Sequence, residues 1–216
     1  MGTPQARLDV AGNPVLLLGT IAGFVPDGER VRQAYEAFHP RVVALGVPPE
    51  DLATLDTLAS ASAAPAELPP LDDTHERLMG LLAPFGATRV PSPDLEIAHQ
   101  VARADGVPLS ALDLDDDAHA TLYTKHVRFH HIIQSNGIKS RLLKRGVTGT
   151  DAYDVAANWD AAWTRPRGMR RVEDAREAHM AARLREVAAV ADGNVLAVVP
   201  STLLAGIVRA LGSNPA

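Results

Sequence analysis

The sequence predicts an α/β fold: a mostly parallel central sheet with an N-terminal hairpin, flanking helices and a helical arm. Three observations lead there. Short, largely apolar runs occur at Val15–Leu18, Arg41–Leu45, Val107–Leu114 and Val195–Val199, the pattern of strands covered on both faces. Amphipathic helical spacing separates them, and strand–helix alternation is the signature of a parallel sheet. The chain has 216 residues, 46% hydrophobic and 22% charged, enough to bury a core in one domain.

In chain order, Ala6–Val10 precedes Ala11-Gly12-Asn13-Pro14, a turn-forming cluster. Val15–Leu18 follows, so the first unit reads as a hairpin that adds an antiparallel edge. Gly19-Thr20 ends the second strand. Asp27 is placed to cap a helix whose apolar stripe is Val31, Ala34, Tyr35 and Phe38. His39-Pro40 stops it before Arg41–Leu45. Pro48-Pro49 opens a helix carrying Leu52, Leu55 and Leu58, and Ser60 to Pro70 has the composition of a surface linker. Helical signals resume from Thr74 to Ala83. Ser92-Pro93 begins a helix with Ile97, Ala98, Val101 and Ala102 inward, and Gly106 stops it. Val107–Leu114 reads as an inner strand, with Pro108–Asp113 as its core.

From Ala118 to Arg145 the chain is helical, with breaks expected at Gly137 and Gly146. A further helix covers Ala152–Trp163. Helical spacing then runs from Val172 to Ala191, ended by Gly193-Asn194. Val195–Val199 is the last inner strand, and Thr202–Leu211 the closing helix. The expected organisation is an α/β core from residues 1–120 and 172–216, with residues 121–171 as a basic helical arm standing apart from the sheet.

Composition excludes several chemistries. There is no cysteine, so disulfides, thiol catalysis and cysteine-held metal centres are absent. The net charge of −5 gives no global attraction to nucleic acid or anionic lipid. The longest apolar stretch, Val195 to Val208, is broken by Pro200, Ser201 and Thr202, whereas a membrane helix needs ~20 apolar residues. No basic and then apolar leader is visible at the start. These features lead to the expectation of a soluble cytoplasmic protein. No Gly-rich phosphate loop, Gly-x-Ser-x-Gly elbow or HExxH motif is present.

Four blocks together resemble the TraB/TIKI superfamily, which includes the pheromone-shutdown proteins. They are Val15–Thr20, like that family's opening strand and Gly-Thr-x-His turn; Pro40–Leu45, like a strand that ends in Glu-Leu; Ala98–Asp113, like a helix-Gly-strand passage ending in Asp-Arg; and Arg176–Ala181 with Val195–Val199 and Gly206-Ile207, like an Arg-x-x-x-Met helix followed by Val-Val-Gly-x-x-His-x-x-Gly-Ile. The blocks keep the family's order and cover most of the chain. The resemblance implies an α/β sheet with a site at the strand ends. In some family members that site, with two histidines and a glutamate, serves metal-dependent peptidase chemistry.

This chain departs at those positions. After Gly19-Thr20 the histidine is Ala22. The glutamate is Gly46. In Pro200-Ser201-Thr202-Leu203 the glycine is Pro200 and the histidine Leu203. None of Ala22, Gly46 or Leu203 can ligate a cation or move a proton. The resemblance therefore implies a scaffold retained with its site erased, and a protein that is not an enzyme and needs no cofactor.

Two alternatives stay open. His126 and His130 are four apart, a metal-compatible spacing on one helix, and Asp113 at a strand end is a candidate third ligand for a divalent metal ion. That set would serve a metal-dependent hydrolase with a relocated site. The plainer reading is a helix with surface histidines. Likewise Asp113-Leu114-Asp115-Asp116-Asp117 reads more simply as a strand end followed by a charged first helical turn. The second alternative concerns charge. Residues 121–171 carry +7 and the remaining residues −12. Arg165, Arg167, Arg170 and Arg171 lie in the densest stretch, expected as a loop, near Tyr123, Phe129, Trp159 and Trp163. Such an arm can bind an anion or nucleic acid, or simply pair with acidic protein surface. The leading expectation is association with a protein partner or a second copy as a homodimer.

Overall fold

The computed structural model describes residues 3–60 and 72–212. Five strands form one sheet in the order β1-β2-β5-β3-β4. They are β1 Gln5–Val10, β2 Asn13–Thr20, β3 Val42–Leu45, β4 Leu109–Ala111 and β5 Val195–Pro200. β1 and β2 pair as the antiparallel hairpin, and the other pairings are parallel. The four apolar runs thus share one sheet. Most of the Ser60–Pro70 linker lies outside the described residues.

Alternation along the strands divides the core. Leu16, Leu18, Val43, Leu45, Leu196 and Val198 face α1 (Val25–Phe38) and α4 (Pro93–Ala104) through Val31, Tyr35, Ala98 and Ala102. Val15, Leu17, Ala44, Val195, Ala197 and Val199 face α8 (Arg167–Val190) and α9 (Ser201–Gly212) through Met180, Leu184 and Ile207. A strand apolar at every position is thereby satisfied on both faces. β5, last in the chain, fills the gap left by the β2–α1–β3 crossover.

α2 (Pro49–Ser60) lies against β4, and α3 (Asp73–Leu82) meets α6 (Phe129–Arg145) and α7 (Ala152–Trp163). α5 (Asp116–His126) packs on α8, and α7 also reaches α9. Ile21, Phe24 and Leu82 join Ala152, Val155 and Ala156 of α7 in a third apolar cluster. Trp159, also on α7, is buried.

Several local expectations are corrected. Asp27 does not cap α1: the helix starts at Val25, and the buried Asp27 carboxylate instead accepts from the backbone N–H of Ile21 at 2.7 Å. The Val107–Leu114 strand is only three residues long and forms an edge, not an inner strand. α6 passes through Gly137, where a Cβ would meet open space. The helical stretch breaks at Val127 and Arg128, both extended, because Arg128 starts a new helix while Val127 is buried. The stretch from Arg165 to Arg171 is not all loop. Pro166 is the extended N-cap of α8, so Arg167 to Arg171 are helical. Their turn lacks the apolar stripe that marks a helix in sequence.

Candidate functional site

The carboxyl ends of β2, β5 and β3 lie side by side, the place where open α/β sheets hold ligands. β2 and β3 lead into helices on one face of the sheet and β5 into α9 on the other. Gly19, Gly46 and the Pro200-Ser201 turn come together there. A Cβ on Gly19 would approach Ser201 Cα at 3.0 Å, and one on Gly46 would approach Pro200 Cδ at 2.9 Å and Val199 Cα at 3.0 Å. Ala22 is exposed beyond the end of β2. Leu203 turns into the α8–α9 side of the core and is 2% exposed. The space beside Gly19 and Gly46 is therefore filled by Pro4, Pro200 and backbone.

Two polar networks border this edge. On the β2 side, Asp27 is fully buried and binds Arg30 at 2.5 Å; Tyr153 of α7 donates to Asp27 and accepts from Arg30. Arg30 also donates to the Gly19 carbonyl at 3.2 Å. Thr20 donates to Asp94 at 2.5 Å, as does Ser92, whose hydroxyl accepts from Gly23 N at 2.7 Å. Burial pushes the Asp94 carboxyl above the usual range, opposed by the Ser92 and Thr20 hydrogen bonds. Burial and the bond to Asp27 push the Tyr153 phenol upward.

On the β4 side, Asp113 follows the strand and is held by Arg176 of α8 at 2.5 and 3.3 Å. Arg176 also binds Glu173 at 2.9 Å. Glu177, buried, pairs with Arg170 at 2.9 Å and with Arg209 of α9 at 3.5 Å. Burial raises the Glu173, Glu177 and Asp160 carboxyls; Arg176 opposes this at Glu173, Arg170 at Glu177, and both at Asp160.

α7 joins the two networks. Tyr153 and Asp160 are seven residues apart, nearly two full turns and about 10 Å along one helix face. The first meets Asp27, and the second sits in the field of Arg170, Arg176 and Glu177. The helix thus runs along the carboxyl edge. Asp27, Asp94, Asp113, Glu173 and Glu177 are each answered by a guanidinium, hydroxyl or backbone N–H, so the arrangement holds charge in place. Sequence reasoning missed Asp27 in this role, as well as Arg30, Asp94, Tyr153, Asp160 and Glu173. A polar residue inside an apolar stripe, as Asp160 is beside Trp159, was the available signal.

The other candidates separate. His126 closes α5 and His130 lies in α6, so the four-residue spacing does not put them on one helix face. Among the described residues no group of three or more His, Asp or Glu is arranged to hold a metal ion. Arg170 is tied to Asp174 and Glu177, while Arg165, Arg167 and Arg171 are exposed. In comparisons with known proteins, no family model matches this chain and no curated protein matches it. Among the described residues, no helix is long and apolar enough to cross a membrane.

Asp160 supplies a pH test. Its folded pKa lies above its unfolded value, so its contribution is most favourable below the unfolded pKa and is lost as pH rises through the folded one. At pH 7 the ionised, partly buried carboxylate costs stability. Asp160→Asn should therefore melt at or above the wild-type temperature at pH 7. That margin should shrink as pH falls through the raised pKa toward the ordinary carboxylate range. Thermal melts of both proteins between pH 4 and pH 7 check this, and a margin that grows on acidification contradicts it.

Proposed function

We propose that this chain is a non-catalytic binding protein on a TraB/TIKI-like scaffold, acting in the cytoplasm by association with a protein partner, in the first place a second copy of itself. The observation that carries the reading is the closed carboxyl edge. Where the resemblance calls for histidine and glutamate, Leu203 is core, Gly46 is walled by Pro200, and Ala22 has no ligating group. The retained Asp113 and Arg176 neutralise each other.

Association is supported by α6. Phe129, Ile132 and Ile133 are 77%, 40% and 57% exposed at i, i+3 and i+4, on one face of its first turns. This apolar face sits in the segment carrying +7, while the rest of the chain carries −12. Two copies docking arm to body bury the apolar face and bring opposite charges together, as an isologous dimer allows.

Sedimentation velocity of the full chain at micromolar concentration tests this. The expected species is a dimer that Phe129→Asp converts to monomer with its circular dichroism unchanged. A wild-type monomer at every concentration, or a dimer indifferent to Phe129→Asp, overturns the reading.

A further inference from the structure

Beside the apolar face of α6, on a different side of that helix, lies a cavity of about 540 Å³ bounded by His130, His131, Gln134, Arg141, Arg165 and Arg167, with Ile138 and Pro166 as its apolar wall. Ligand pockets run roughly 300–1,000 Å³. None of its lining residues is a carboxylate. Among the described residues, no carboxylate pairs with Arg141, Arg165 or Arg167. This sets them apart from Arg30, Arg170 and Arg176, each held by an acid. From this geometry we infer that the cavity is a binding site for a small diphosphate-bearing molecule.

The local structure builds the site deliberately close. Gly168 packs against the α5–α6 corner so tightly that a Cβ there would lie 2.3 Å from His131 Nδ1 and 2.5 Å from the His126 carbonyl. Only glycine lets the first turn of α8 approach this far, and that approach brings Arg165 and Arg167 across from Arg141. The same turn opens a 24-residue helix whose N-cap, Pro166, makes no side-chain cap bond. The positive end of its dipole adds to the three guanidiniums. His131 Nδ1 accepts from Arg128 N at 3.1 Å, so in the neutral ring the proton is on Nε2. Desolvation first, and then the neighbouring His130, Arg171 and Arg128, hold His131 below the usual imidazole range against the opposing His126 carbonyl.

Phosphate is favoured over a lone carboxylate because guanidinium forks match its oxygens two at a time. Three of them with a helix N-terminus answer more than one negative charge. The cavity also has an apolar wall for a small organic group. This inference does not rest on the association reading, since α6 presents Phe129, Ile132 and Ile133 on another face.

Titration calorimetry with sodium pyrophosphate at constant ionic strength tests it. One-to-one binding is expected. Arg165→Ala, Arg167→Ala and Arg141→Ala should each weaken it about tenfold or more with the circular dichroism spectrum unchanged. Arg7→Ala, at an exposed position of β1, should not weaken it. No heat with folded protein at about 1 mM pyrophosphate overturns the inference, as does binding unaffected by all three variants. A single-stranded oligonucleotide that binds more tightly than pyrophosphate, with affinity rising with length, also overturns it in favour of a nucleic-acid surface. In a variant that melts early, loss of binding counts only below its transition. Arg165→Lys and Arg167→Lys, which keep the charge but lose the fork, should fall between wild type and alanine.

Discussion

Replacing Arg176 by Met should lower the unfolding free energy by about 3–5 kcal/mol, the cost of breaking a buried ion pair from one side. Arg176 is 23% exposed at its side chain and Asp113 5%. Two guanidinium nitrogens meet the two Asp113 oxygens, and the third meets Glu173. Methionine fills much of the volume but strands both carboxylates away from solvent. Among the described residues, Asp113 would keep only the Leu114 N–H at 2.8 Å. Urea unfolding with the slope held in view measures the loss. Asp113→Asn combined with Arg176→Met should cost clearly less than the sum of the two single changes, because less uncompensated charge stays buried. A single-variant loss below about 1 kcal/mol, the range of exposed pairs, would mean the pair is only a surface contact.

Gly46→Ala should cost about 1–3 kcal/mol, the range of overpacking in a tight core. The added Cβ meets Pro200 Cδ at 2.9 Å, Val199 Cα at 3.0 Å and the Val198 carbonyl at 3.3 Å. Two of those atoms are backbone of a central strand and cannot swing aside. Gly46 N also donates to the Val198 carbonyl at 2.7 Å, which fixes the two strands at this spacing. Pro200→Ala in the same chain should recover part of the loss, since it removes the ring carbon and leaves the backbone contacts. Gly46→Glu should cost more than Gly46→Ala, having a carboxylate to place as well. If Gly46→Ala melts at the wild-type temperature, the strand ends have room, and the picture of a filled carboxyl edge fails. Positions 46 and 200 are coupled on this view: the proline at 200 occupies space that only glycine at 46 leaves free.

The strands and most helices were legible in the sequence because their causes are local. Leu16, Leu17 and Leu18 are apolar at successive positions, which only a strand covered on both faces accommodates. Ala152–Trp163 and the closing helix show their period without help from neighbours. Where the cause was not local, the reading fell short. β4 is short and at the edge because β5, from the far end of the chain, pairs with the other side of β3. Asp27 followed a plausible capping position, yet its partners are Arg30, the Ile21 N–H and Tyr153, the last 126 residues away. The first turn of α8 carries no apolar stripe, so only its packing of Gly168 on His131 marks it.

The same division governs the site. Sequence alone determined that Ala22, Gly46 and Leu203 bring no ligating group to the strand ends, since they are read directly as residue types. It also determined that positive charge gathers in residues 121–171. Only the tertiary structure decided which of those charges are spent. Arg170 turns inward to Glu177, whereas Arg165, Arg167 and Arg141 line one cavity without an acid. A guanidinium's role depends on what lies within a few ångströms of its nitrogens, and residues distant in the chain supply those neighbours.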